Sequence, residues 1–415
     1  MHFLRSTRVL VCALTLLVPA AARTRPQAGA VSSVADLVQK IQEDKVALAY
    51  DESHGYLRSL LKTLDIPVSS QTLVFSKSSL QLSQIAPEAP RAVYFNDDVY
   101  VGWVNHGQII EIAEVDPKIG PAFYALTQEY DPYPEIKAET ENCLVCHDTF
   151  QTSTPVPRLL MLSVLPNPAG NALKAAALIT NDQSPFRERW GGWYVTGAHG
   201  KQRHLGNTLV RTKPDDIDDM KQFVSIMDQI PRSNFVDLTS GFKFDAKEYL
   251  TPHSDIVALM ALGHQTHVHN MITSGVYEMR DAVAQGRTGE KMEEAVKDAG
   301  ERIVRAMLFA GEAQLAEPVR GTSGFAEEFI RRGPRDSKGR SLRDLDLEHR
   351  LLRYPLSYLV YSKSFDGIPG ELKDYVYRRF REVLTGKDKS EGFKHLSEQD
   401  RTSILEILRE TKPGF

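Results

Sequence analysis

Cysteine is nearly absent from this chain: there are three in 415 residues, one of them within the first thirty. A disulfide framework is therefore excluded, and only Cys143 and Cys146 remain to be explained. Long apolar runs are also missing. Val9 to Val18 falls short of the roughly 20 residues that a spanning helix needs, and no later segment is long and apolar enough. Neither sign of charge dominates. Lys and Arg number 50 against 54 Asp and Glu, a formal net charge of −4 with no basic run, so nothing points to nucleic acid or an anionic membrane as partner. There is no internal repeat and no low-complexity tract. What is present is the composition of a folded protein, 42% hydrophobic and 25% charged, in a chain long enough for two domains.

Residues 1–30 read as a secretory signal peptide. Arg5 and Arg8 precede the short apolar core, and Ala20-Ala21-Ala22 offers a small-residue cleavage site, with Ala28-Gly29-Ala30 as a later option. The competing reading, an uncleaved membrane anchor, fails on length. The expectation is a periplasmic or otherwise extracytoplasmic protein with no transmembrane segment in its mature chain.

From Val31 to Leu64 the pattern is helical, with Val34, Leu37, Val38 and Ile41 at helical spacing. The period then changes. Leu73-Val74-Phe75, Ala92 to Phe95, Val99 to Val104, Gln108 to Val115 and Ala122 to Gln128 are short and rich in β-branched and aromatic residues, separated by Asn96-Asp97-Asp98 and Asn105-His106-Gly107. Asp131 to Pro157 is turn-rich. Further strands are expected at Leu159 to Leu165, Ala175 to Thr180 and Gly191 to Gly197. Beyond Pro214, helices are expected at Asp215 to Ile230, Ser254 to Gln285, Glu290 to Leu315, Leu372 to Leu384 and Ser397 to Glu410, with Arg331 to Arg350 as a solvated connection. The fold class is α+β: a mainly antiparallel β region over 31–210, then a helical region over 211–415.

Residues 143–147 read Cys-Leu-Val-Cys-His. Two thiols one helical turn apart can add across the two vinyl groups of a haem, and the following imidazole then reaches the iron. Three plainer readings compete. A thioredoxin-like redox pair wants a βαβ context, which the preceding segment does not offer. A zinc site needs two more ligands. A disulfide across two residues is strained and leaves His147 unexplained. One covalent c-type haem, held by Cys143 and Cys146 with His147 as proximal iron ligand, is the expectation.

The pentapeptide resembles the attachment motif of exported c-type cytochromes. Asn96 to Val104, Arg189 to Gly197 and His253 to Met260 resemble segments of a group of large exported bacterial proteins with a single haem motif, a likeness over most of the mature chain. It implies a common architecture and haem binding, with no established activity. The chain is far longer than a small cytochrome c.

The sixth iron ligand would decide the function: histidine or methionine gives an electron carrier, an open position admits peroxide or another small oxidant. His264 ranks first, then His204, then His269. On the helix near Ser254, Ile256, Met260, His264, His267 and Met271 form one stripe, which an ordinary core helix would also show. Met161 reads as core and His253 as part of the helix start. His54, His106, His349 and His395 read as solvated. Arg203, with Arg187 and Arg189, is a candidate for haem propionates. Trp190 and Trp193 are candidates for packing on the porphyrin. Asp215, Asp216, Asp218 and Asp219 lack the pattern of a calcium loop and suit a helix start. The haem is expected between the two regions. The expected function is single-electron transfer with an unidentified redox partner protein; the alternatives are a haem enzyme with an open distal site and a haem-based sensor.

Overall fold

A computed structural model describes residues 31–77, 79–148, 156–210, 234–242 and 244–415. The expected signal peptide, the helix expected at 215–230 and the four aspartates beginning it lie outside those residues.

The strands follow the period-two segments closely. β1 (Thr72–Val74), β2 (Arg91–Phe95), β3 (Val99–Val104), β4 (Ile109–Asp116), β5 (Gly120–Thr127) and β6 (Ile136–Ala138) form an antiparallel meander. Asn96 makes the β2–β3 turn by accepting from the backbone N–H groups of Asp98 and Val99 at 3.1 and 2.8 Å. β7 (Leu162–Pro166) and β8 (Ala172–Ile179) pair as a separate hairpin, and β9 (Trp193–Tyr194) adds to the free edge of β1. The main sheet thus has the order β6-β5-β4-β3-β2-β1-β9.

Both faces of this sheet are covered. Leu73, Tyr94, Val101, Trp103, Ile112 and Leu126 pack against α1 (Val34–Gln42) and α2 (Leu57–Thr63). Val74, Val93, Phe95, Tyr100 and Val115 belong to a larger core shared with the helical region. That region has α4 (Ile256–Ala284), α5 (Glu290–Met307), α6 (Phe325–Arg331), α7 (Gly370–Leu384) and α8 (Glu398–Thr411); the short α3 (Glu141–His147) belongs to the β region. The fold is α+β, with an N-terminal antiparallel sheet region followed by a helical one. Among the described residues no helix is long and apolar enough to cross a membrane.

α4 is the central element. Its first turns, Ile256 to Thr266, are buried on every side, which suits a helix laid between a sheet and other helices. Its start is fastened from several directions. Asp255 Oδ1 accepts from the N–H groups of Val257 and Ala258, while Oδ2 accepts from those of Thr322 and Ser323 at 2.7 and 2.8 Å. Ser254 Oγ donates to the Tyr194 carbonyl and accepts from Leu73 N–H, tying the helix to β9 and β1. Gly197, at φ +138°, lets Ile256 approach so closely that a Cβ there would lie 2.4 Å from its Cγ2.

Several expectations need correction. The helical pattern from Val31 to Leu64 is two short helices with an irregular stretch between, because Asp44 at φ +53° turns the chain out of α1. The helix expected to reach Leu315 stops at Met307, since Phe309 and Gly311 take positive φ. The turn-rich segment holds both β6 and α3. The charged stretch at 331–350 is partly core: Arg343 is buried, its guanidinium 4.5 Å from the ring centre of Tyr358 and 4.7 Å from that of Phe329.

Replacing Asp255 with alanine removes a cap and orphans buried N–H groups in two segments, so it is expected to cost about 2 kcal/mol or more. Urea unfolding of Asp255→Ala against the parent measures this.

Candidate functional site

Seven residues of α3 carry the Cys-x-x-Cys-His motif. A helix this short is unstable alone, and none of its residues is buried. It stays attached through its last residue. His147 Nδ1 lies 2.9 Å from the Arg158 carbonyl, and Arg158 N–H donates back to the His147 carbonyl at 2.7 Å. A carbonyl only accepts, so the proton sits on Nδ1 and the lone pair on Nε2. Phe123 of β5 packs on the imidazole, ring centres 4.9 Å apart. Burial holds the His147 pKa below its ordinary range, against the pull of the Arg158 carbonyl.

The thiols are free, Cys143 half-buried and Cys146 exposed, and the three-residue spacing puts them on one side of the helix. Burial, with help from Glu111 and Glu139, pushes the Cys143 thiol up to about 11. Beside them on the sheet, Arg91 and Glu111 form an ion pair at 2.6 Å whose charges act on both Cys143 and His147. Arg91 lies flat over Gly102, where a Cβ would fall 2.3 Å from its Nη2. Arg91 Nε, Glu111 Oε1 and Arg158 Nε are buried and lack hydrogen-bond partners among the described residues. Buried polar atoms are rarely left this way unless something else meets them. Among the described residues no group of three or more His, Cys, Asp or Glu could hold a metal ion, so the thiols have no zinc-site companions there.

The segment after Arg158 is clasped to α4. Leu159 N–H donates to Asn270 Oδ1 and Asn270 Nδ2 donates to the Leu159 carbonyl, both at 2.8 Å. Met161, buried as core, passes Gly263 one face-repeat earlier on the same helix, its Sδ 3.5 Å from where a Cβ would be.

The sequence-ranked distal candidates are all buried, and none presents an open lone pair. His264 Nδ1 donates to Asp182 Oδ2 at 2.9 Å and Nε2 accepts from Ser357 Oγ at 2.8 Å, so both nitrogens are occupied. Phe309 stacks on its ring at 3.9 Å. This Ser-His-Asp arrangement has the hydrogen bonds of a nucleophilic triad, yet Ser357 and His264 have no exposed surface for a substrate. His204 Nδ1 accepts from Gly206 N–H, leaving the proton on Nε2, with His199 and Trp190 against its ring. Tyr100 OH accepts from Gln265 Nε2, so its own proton goes to His269 Nδ1 at 2.9 Å; His269 therefore also carries its proton on Nε2. Burial lowers both His204 and His269 to about 3, His199 adding to the effect at His204.

Asp182 is the shared acceptor. Burial opposes its charge, but hydrogen bonds from His264 and His267, at 2.9 and 2.7 Å, outweigh that and hold it below the ordinary carboxylate range. It lies 82 and 85 residues from these histidines. Sequence reading missed it because nothing local in a turn at 181–184 marks such a partner.

The other candidates fall into place. Arg189 is buried and donates to the carbonyls of Ser184 and Asp182, which makes it a loop anchor. Arg187 is exposed beside Glu188, and Arg203 is half-buried in the 199–204 loop. Trp190 and Trp193 are core, Trp193 donating to the Leu162 carbonyl. His253 precedes α4, its carbonyl accepting from Gln71. His106 and His349 are exposed, but His54 is buried against Trp103 and His395 donates to the Leu308 carbonyl, contrary to a solvated reading. No protein family, curated protein or solved structure matches this chain.

His204 and His269 bind protons more weakly folded than unfolded. The stability this gives is present above the unfolded value near 6.5 and is lost as pH falls toward 3. The thermal midpoint is expected to drop steadily from pH 6.5 to pH 4, each group contributing up to about 1.4 kcal/mol per pH unit. Unfolding scans across that range check the slope; a flat profile rules it out.

Proposed function

We propose that this chain is an exported c-type cytochrome that carries one covalent haem and transfers single electrons. Cys143 and Cys146 would hold the haem through thioethers, and His147 would be the proximal ligand. The observation that carries this is the His147 tautomer. A protein-held Nδ1–H with the lone pair left on Nε2 is what an iron-ligating imidazole needs, and it occurs on the residue that follows the two thiols. The bound haem would supply an iron that cycles between ferric and ferrous states.

The surroundings support the same reading. Arg158, and Arg91 alongside its partner Glu111, would bring positive charge toward propionates, and their Nε–H groups are among the buried donors without partners among the described residues. Phe123 covers one side of the imidazole, with ring centres 4.9 Å apart and planes inclined at 48°. The exposure of Val145 and Cys146 puts one edge of the attachment site at the surface, where a redox partner protein could exchange electrons. An extracytoplasmic, periplasmic location goes with the expected signal peptide and with covalent attachment, which prevents loss of the cofactor.

A second reading has one observation in its favour. None of His264, His204 and His269 offers an open lone pair, as an enzyme for peroxide or another small oxidant, or a haem-based sensor, would require.

Expressed with a cytochrome maturation system, the protein is expected to gain the mass of one haem and a Soret band that survives acid–acetone extraction. Cys143→Ala/Cys146→Ala should lose both. A parent protein of unmodified polypeptide mass would overturn the reading.

A further inference from the structure

We propose that the β6 edge of the main sheet, beside the cysteine-bearing helix, is the docking surface for a basic redox partner protein. An apolar groove and exposed rings give the contact, and a surrounding set of carboxylates selects a cationic surface. This rests on the haem reading above and specifies the chemistry of the partner.

β6 ends the main sheet, so among the described residues one of its sides has no strand beside it. It also leads straight to the thiols: Ala138 closes the strand and Glu141 opens α3. The edge has two faces. Ile136 pairs with Leu126 on the face that packs against α1, while Phe123 points to the opposite face and carries His147. On the α1 side, Val38, Ile41, Tyr133, Pro134 and Ile136 line an open groove of about 330 Å³. Tyr133 is 77% exposed, Tyr130 68% and Val145, on α3, 79%. One such side chain is ordinary on a surface. Three of them in the stretch 130–145, next to an apolar groove and a free strand edge, make a patch of the kind that partners cover.

The charge of that stretch is one-sided. Residues 129–148 hold Glu129, Asp131, Glu135, Glu139, Glu141 and Asp148 against a single cation, Lys137. The whole chain carries a formal charge of only −4, so its entire negative excess lies here. Each of the six carboxylates is at least partly exposed. Among the described residues only Glu135 has an ion-pair partner, Lys137 at 3.3 Å. Asp44, at the end of α1, adds a carboxylate to the lining of the groove.

That sign fixes the occupant. A second copy of the chain would set carboxylates against carboxylates, and an anionic membrane would be repelled in the same way. A protein surface rich in lysine or arginine is drawn in and oriented, and an apolar side chain at its centre fills the groove. Redox encounters use small, weak contacts of this kind, in which charge sets the rate of approach. A partner seated on the β6 edge lies beside α3, where Val145 and Cys146 bring the attachment site to the surface.

The test uses the reduced full-length holoprotein and follows its oxidation in stopped flow by two probes, a small lysine-rich cytochrome c and ferricyanide. Raising salt from about 10 mM to about 300 mM is expected to slow the reaction with the cytochrome by about tenfold and to quicken that with ferricyanide. Glu135→Lys/Glu141→Lys should slow the cytochrome reaction by about tenfold at low salt and flatten its salt dependence, with the Soret band unchanged. Glu294→Lys/Asp298→Lys, at exposed positions of α5, changes the net charge equally and should leave the rate near that of the parent. Tyr133→Ser should slow the reaction by about threefold at high salt, where charge is screened. Carbodiimide coupling of the parent to the cytochrome, mapped by mass spectrometry, should join probe lysines to carboxylates within 129–148. A salt-independent rate, an equal loss in the α5 variant, an unchanged Tyr133→Ser or couplings that map elsewhere overturn the docking surface and leave the haem reading intact. Absence of covalent haem in the parent sinks the haem reading instead, and the coupling map, which needs no haem, still decides the surface.

Discussion

Two reciprocal pairs of hydrogen bonds, His147 with Arg158 and Leu159 with Asn270, hold the cysteine-bearing helix to the rest of the protein. α3 has seven residues, none buried, and would not persist on its own. Each bond contributes only about 1 kcal/mol net. Their value is geometric. They fix which nitrogen of His147 carries a proton, and they seat the irregular segment leading to β7 on a long helix that is itself immobilised by burial.

That immobilisation comes from the start of α4. Asp255 and Ser254 join the helix to β1, β9 and the 322–323 loop in one buried knot. From there the helix carries three histidines past three different environments. One meets a carboxylate and a serine, one the same carboxylate and an open edge, one a tyrosine on the sheet. His264 and His267 thus keep the proton on Nδ1, while His269, a few residues on, carries it on Nε2. A fully buried polar network such as Asp182-His264-Ser357 is costly unless every member is satisfied, and here both His264 nitrogens are. Satisfaction is also what removes His264 from metal chemistry.

Much of the architecture was legible in the residues. The hairpin turns at Asn96 and Asn105 to Gly107 bracket β3 as read, the 256–284 helix matches its apolar run, and the last helix starts at Ser397, where Ser397 and Asp400 form a capping box. Errors gathered where local pattern lacks the deciding information. The first helical stretch breaks at a positive-φ aspartate, the Met307 helix ends at a positive-φ phenylalanine, and Arg343 is buried because two aromatic rings from elsewhere accept it.

By itself the sequence determined the α+β order of its regions and the spacing of two thiols and an imidazole, because hydrophobic period and covalent reach act over a few residues. It also marked the histidines of α4 as a group. Which of them has a free lone pair was decided only by the tertiary structure. The partners that set each tautomer, Asp182, Ser357 and Tyr100, lie 82 to 169 residues away, and a proton's position depends on what stands across the hydrogen bond.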